Sequence, residues 1–303
     1  MGSDFIPCIL EFFKTGHLLK EINRTFITLI PKIDNLCLTS HYRPISLCST
    51  ICKTIVKILM NRMRPLLEKL VSPYQSAFIL GRSIHDNILL THEIMHKFNF
   101  CKGKTASAAL KLDMEKVYNR LEWDFISKCL QELGFHSQLI QWIIKCNSSI
   151  TYSLLIDGEP KGFFSPDQRY LPGRSIIIVP LYYLYKALTS TLIKEADMAK
   201  SGIRIKICPR SPKIPCLLFA DDCLLFCKYN QQSSRRLKSI IDQFCVYSGQ
   251  LVNFHKSVIT FSKNISSTHK QTTMSIFNIP QSHSLRTYLG CLIFQGRPRR
   301  QTF

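Results

Sequence analysis

CLLFADDCLLFC, Cys216–Cys227, places two neighbouring carboxylates, Asp221 and Asp222, between runs that are almost wholly apolar. Apolar runs of this length go inside a protein, and adjacent charges ordinarily do not. Two short strands joined by a tight turn reconcile the two demands: the flanks are buried and the Asp pair sits at the tip of a hairpin. A lone Asp-Asp in a turn is ordinarily only solvated. Here the flanks are apolar on both faces, which predicts an internal hairpin whose tip opens onto a cleft. Carboxylates about 4 Å apart repel by about 4 kcal/mol at an effective dielectric of ~20, and a divalent cation between them relieves that repulsion. The alternating stretch ASAALKLDM (106–114) reads as a strand leading to a third carboxylate, Asp113. Hard oxygen ligands suit Mg²⁺, and two ions bridged by such a trio serve in-line phosphoryl or nucleotidyl transfer.

Charge supports that direction. The chain of 303 residues carries 40 Lys and Arg against 20 Asp and Glu, a net +20. A surplus of this size implies a polyanionic partner, and nucleic acid is the commonest. No uninterrupted apolar run of about 18 residues is present, so no membrane is expected. The N-terminus has no signal-peptide pattern, and MGSDFI has Ile6 where myristoylation wants Ser or Thr. The 13 cysteines are odd in number, form no Cys-x-x-Cys and mostly fall in apolar patterns. They read as small hydrophobes in a reducing, intracellular setting (cytoplasmic, nuclear or both), with no structural metal.

Along the chain, TFITLIPK (25–32) reads as a strand, followed by a polar connection over 33–47. A helix over 49–70 shows Ile51, Ile55, Ile58, Leu59, Met63, Leu66, Leu67 and Leu70 at helical spacing, capped by Ser49 or Thr50 and kinked at Pro65. Further helices are expected over 81–98, 121–134, 137–146, 179–196 and 233–249, with Gly134 and Gly249 as stops. Residues 151–164 predict a hairpin turning at Asp157-Gly158, and strands are expected at 203–207, 214–219 and 222–228. Helices and strands mix without βαβ alternation, which favours an α+β fold.

In order, the blocks FITLIPK, YRPISLCSTICKTIVKILMNRM, QSAFILGRSIHDNI, ALKLDMEKVYNRLEWDF, LGF, TYSLLIDGEPKGFF, LLFADDCLLF, SGQLVNFHKS and YLG run over nearly the whole chain. Together they resemble the reverse transcriptase domain of LINE-type (non-LTR) retrotransposons, of the plant-like subgroup. The resemblance implies a right-hand polymerase: fingers and N-terminal palm over 1–105, and palm over 106–265. Over 266–303 it implies the end of the palm, a primer-grip-like hairpin at YLG and a truncated thumb start. It implies an RNA-directed DNA polymerase that extends a DNA primer on an RNA template with dNTPs and two Mg²⁺ ions, Mn²⁺ serving as a substitute. Asp113, Asp221 and Asp222 match the catalytic, metal-holding aspartates. Tyr118 matches the aromatic under the incoming sugar, and Lys32 and Arg43 match fingers residues that face the triphosphate. Lys256 matches a lysine that protonates leaving pyrophosphate.

Departures sit beside the match. The family's Arg-Gln-Gly-Asp-Pro-Leu-Ser-Pro block is replaced by RYLPGRSIIIVPLYYLY (169–185). Gly173 survives nearby, but the Gln, Asp, Pro and Ser positions are lost, and the SIIIVP run is an apolar wall where the family places groups that position a base and sugar. Asn119 stands where the family has Asp and Val117 where it has Ala, and little thumb follows YLG. These changes carry an alternative expectation, a catalytically defective nucleic-acid-binding relic of a degenerate element copy. The endonuclease and RNase H regions of full elements have no counterpart in these blocks.

Overall fold

The computed structural model describes residues 4–35, 37–101, 106–114, 123–165, 178–198, 201–228, 230–279 and 285–293. In chain order the described elements begin with α1 (Phe5–Thr15), β1 (Arg24–Pro31), β2 (Tyr42–Cys48), α2 (Thr50–Leu70) and α3 (Ile84–Phe100). Next come β3 (Ser107–Leu112), α4 (Trp123–Glu132), α5 (Ser137–Ser148), β4 (Thr151–Ile156), β5 (Glu159–Phe164) and α6 (Ile178–Asp197). The remainder are β6 (Cys216–Phe219), β7 (Asp222–Lys228), α7 (Gln231–Ser248), β8 (Val258–Phe261), α8 (Ser267–Phe277), β9 (Thr287–Tyr288) and β10 (Cys291–Leu292). The architecture is α+β. Among the described residues no helix is long and apolar enough to cross a membrane.

Two compact units divide the chain: residues 1–69 with 118–180, and residues 70–117 with 181–303. In the first, four strands lie in the order β2-β1-β4-β5. Strands β1 and β2 pair antiparallel, β1 and β4 pair parallel, and β4 and β5 form the expected hairpin. Its turn residues Asp157 and Gly158 both have positive φ, the mirror-image geometry that matches the twist of paired strands. Asn23, fully buried, donates through Nδ2 to the Cys146 carbonyl (3.2 Å) and to Ser149 Oγ (2.8 Å), fixing the start of β1 to the end of α5. Helix α2 buries Cys52, Ile55, Val56, Leu59, Met63 and Leu67 at three- and four-residue spacing and runs on through Pro65.

The second unit holds a four-stranded antiparallel sheet in the order β6-β7-β3-β8. One side of it buries a cluster in which Ile94, Met95 and Phe98 of α3 meet Ala109, Leu217, Leu224 and Phe226 from the strands. Leu285, Tyr288 and Ile293, from β9 and the residues flanking β9 and β10, join the same cluster. The β6–β7 hairpin is as internal as its sequence requires: Cys216, Leu218, Cys223, Leu224, Leu225, Phe226 and Cys227 are buried. Burial pushes the Cys227 thiol up to about 12, so it packs as a small apolar group.

Three expectations need correction. The 33–47 stretch is not only a connection, because its end forms β2, an edge strand that tolerates Pro44 opposite Leu29. Residues 203–207 form no strand and contribute a single bridge, Ile205 to Ile214. Helices α1 and α8 and strand β8 also exist where none is expected from sequence.

Candidate active site

The hairpin register builds the site. β6 and β7 pair from Cys216↔Leu225 to Phe219↔Asp222, which leaves Ala220 and Asp221 as a two-residue turn. Ala220 adopts φ +54°, and Asp221 is not among the positive-φ residues. Positive φ at the first turn position alone is the II′ pattern, where glycine is the usual occupant. An L-residue there costs about 1–2 kcal/mol. Gln75, buried to 1% exposure, holds the strained residue. Its Oε1 accepts from the Ala220 N–H at 3.0 Å, and its Nε2 donates to the Ala220 carbonyl at 3.3 Å.

Antiparallel pairing then brings in the third carboxylate. β3 and β7 pair from Ser107↔Lys228 to Leu112↔Cys223. Continued by one residue, that register sets Asp113 opposite Asp222, and directly opposed residues of an antiparallel pair share a face. Asp113 follows β3 rather than ending it, and both its backbone polar groups are tied down. Its N–H donates to Ser257 Oγ (3.1 Å), and its carbonyl accepts from the Asn253 N–H (2.8 Å). These contacts come from the turn that carries Lys256, whose N–H donates to the Asn253 carbonyl at 3.2 Å and whose side chain is exposed. The sheet therefore gathers Asp113, Asp221, Asp222 and the Lys256 turn at one end.

Lys111 belongs to the same face, two residues before Asp113 and diagonal to Asp222. Its ammonium lies 3.4 Å from Asp222 Oδ1 and 6.0 Å from the centre of the Tyr288 ring. Asp221 is an exposed residue at the turn, yet its carboxyl is held above the usual carboxylate range. Loss of hydration among the surrounding atoms is the main cause. Its own backbone N–H opposes the shift, the Asp222 and Asp113 charges add to it, and Lys111 lowers it again. Burial, then the Asp222 charge, pushes the Tyr288 phenol upward as well.

Among the described residues, no three of His, Cys, Asp or Glu are drawn together as a ready metal cluster. The donor chemistry nonetheless suits a hard divalent cation. Asp113, Asp221 and Asp222 offer carboxylate oxygens, and the Asp222 and Asp113 charges that add to the desolvation shift at Asp221 are what such an ion relieves. In the structure Lys111 supplies the positive charge beside Asp222.

The residues expected to face the triphosphate lie in the first unit. Lys32 follows β1 and donates its backbone N–H to the His41 carbonyl at 2.8 Å, while Arg43 pairs with Ile30. This register places Lys32 and Arg43 on one face of the β1–β2 hairpin, both exposed. Tyr118, Val117, Asn119 and residues 169–177 of the altered block lie outside the described residues. The YLG motif does form a hairpin: Tyr288 pairs with Cys291, and Leu289 and Gly290 both have positive φ.

The profile of the family described as reverse transcriptase (RNA-dependent DNA polymerase) matches residues 30–293. The chain belongs to the reverse transcriptase family. This reverse transcriptase chain is 32% identical over 211 residues, 65% of its length, to the Transposon TX1 uncharacterized 149 kDa protein of Xenopus laevis. It spans only 16% of that protein. Among solved structures it resembles apo telomerase from Candida tropicalis truncated from its C-terminal domain, with a TM-score of 0.52, 15% identity and coverage of 86% of this chain and 55% of that one. Telomerase from the same organism in complex with the TWJ fragment of telomeric RNA gives a TM-score of 0.55 at 15% identity, over 86% of this chain and 44% of that one. At that identity the likeness establishes a shared polymerase fold.

Lys111, Gln75 and Ser257 were not singled out by sequence reasoning. Lys111 was within reach, since alternation from Asp113 puts it on the same face. The other two act through distant backbone contacts that leave no periodic signal.

Proposed function

We propose that the chain is the RNA-directed DNA polymerase domain of a LINE-type element, extending a DNA 3′ hydroxyl on an RNA template with dNTPs. The observation that carries this reading is the β3–β7 register, which ends at Leu112↔Cys223 and, continued by one residue, brings Asp113 opposite Asp222 with Asp221 in the adjoining turn. The second unit then serves as the palm, and the β1–β2 hairpin of the first serves as part of the fingers. Asp113, Asp221 and Asp222 would hold Mg²⁺. Bound divalent ions supply Lewis-acid stabilisation to an attacking hydroxyl and to a leaving pyrophosphate.

The chain's own residues supply the rest. Ser257 and Asn253 fix the backbone of Asp113, and Gln75 fixes the turn that presents Asp221 and Asp222. Lys111 neutralises Asp222 whenever that carboxylate carries no other cation. Lys256, on the turn bonded to Asp113, is a proton donor for departing pyrophosphate. Lys32 and Arg43 offer two cations on one strand face to a triphosphate, and Tyr118 is the residue for the sugar.

Primer extension on an RNA template tests the proposal. Mg²⁺-dependent dNTP incorporation that falls to background in Asp222→Asn supports it. A folded parent protein that incorporates no dNTP, or an Asp222→Asn variant that incorporates it as well as the parent, would overturn it. Retained RNA binding without incorporation would instead identify a non-catalytic nucleic-acid-binding module.

A further inference from the structure

We infer that Gln75 is a positioning residue for the Asp221–Asp222 pair, acting through the backbone of Ala220. The inference rests on the proposed role of these carboxylates in holding divalent ions. Gln75 lies in the segment between α2 and α3, far from the pair in sequence. That segment joins the free edge of β6: Gln75 bridges Leu218 in parallel, the Ser76 N–H donates to the Leu218 carbonyl (3.1 Å), and the Leu218 N–H donates to the Tyr74 carbonyl (2.9 Å). Asn87 Nδ2 adds a second donor to the Leu218 carbonyl at 2.9 Å. Arg82 braces the segment from behind, donating to the carbonyls of Ser72 and Gln75, both at 2.6 Å.

From this braced backbone the Gln75 side chain reaches the catalytic turn. A primary amide offers one acceptor and one donor in a plane, the complement of a peptide's N–H and C=O. Both backbone polar groups of Ala220 are engaged by it, and Oε1 also accepts from the Ala77 N–H at 3.1 Å. Few side chains can do this. Glu lacks the donor, Asn is one methylene short, and Met has the size but no strong hydrogen bond. The clamp matters because Ala220 holds a positive φ that it does not favour. Released, Ala220 relaxes toward negative φ, and the rotation re-aims the two carboxylates that follow it.

Mn²⁺ titration of the full chain, read by electron paramagnetic resonance, tests the inference beside primer-extension kinetics. Gln75→Met should weaken Mn²⁺ binding about tenfold or more, and lower kcat with the KM for dNTP nearly unchanged. Adding Ala220→Gly should recover most of that affinity, because glycine accepts the positive φ without help. A merely structural glutamine predicts no such rescue. If Gln75→Met does not unfold cooperatively, Gln75→Asn gives the same comparison while keeping a polar group at the site. A folded variant that binds Mn²⁺ like the parent, or a double variant no better than Gln75→Met, overturns the inference. A parent protein that binds no Mn²⁺ overturns the metal-holding role on which it rests.

Discussion

Replacing Lys111 with Met removes the cation beside Asp222 while keeping a side chain of similar length. The ammonium lies 3.4 Å from Asp222 Oδ1, and the two side chains are 29% and 37% exposed. At an effective dielectric of ~20 the pair would attract by about 5 kcal/mol, but that much solvent moves the value toward the aqueous limit of about 1 kcal/mol. Loss of folding stability should therefore stay below about 1 kcal/mol. The effect on a bound divalent ion is opposite in sign. An ion about 2.1 Å beyond the carboxylate oxygen stands at most about 5.5 Å from the ammonium, and +1 repels +2 there by about 1.5 kcal/mol in water. Lys111→Met should thus bind Mn²⁺ roughly tenfold tighter in about 10 mM salt. The gain should nearly vanish in about 1 M salt, where the Debye length falls to ~3 Å. Titration at both ionic strengths, with a urea melt to confirm folding, measures it. Unchanged or weaker binding in a variant as stable as the parent would refute the placement of Lys111 against the carboxylates proposed to hold the metal.

Asp221 is expected to make the proposed site acid-sensitive. Its pKa is raised above 3.8, chiefly by lost hydration, so its ionisation opposes folding. That contribution to stability is fully present below pH 3.8 and declines as pH rises through the raised pKa. The acidic limb of dNTP incorporation should accordingly lie above the ordinary carboxylate range, and Lys111→Met should move it higher still in a pH–rate profile. Ser257→Ala deletes the acceptor for the Asp113 N–H and should cost about 1–2 kcal/mol by urea unfolding, with a fall in kcat larger than in binding of the template. Phe226→Ala, at a fully buried position of β7, should cost about 3–5 kcal/mol by the same assay.

What was legible in the sequence follows from the strength of the local signal. The β6–β7 hairpin announced itself because both its strands are buried, leaving continuous apolar runs around two charges. The Asp157-Gly158 turn was equally plain, since few residues accept positive φ at both positions. By contrast β2 lies at a sheet edge with an exposed, irregular burial pattern and a proline inside it, so no alternation marks it. β8 has four residues and borrows its order from pairing with β3, a partner well over a hundred positions away. For the site, the carboxylates were visible through the family blocks, but their mutual placement depends on strand register. The Gln75 clamp and the Ser257 tie depend on tertiary approach, which no spacing rule encodes.

The most direct measurement is anomalous scattering from a crystal of the full chain soaked in Mn²⁺. A single ion within about 2.5 Å of carboxylate oxygens from both Asp113 and Asp222 is the expected result. A peak on one of these residues alone, or elsewhere on the protein with neither engaged, would contradict the shared site and the nucleotidyl-transfer role built on it.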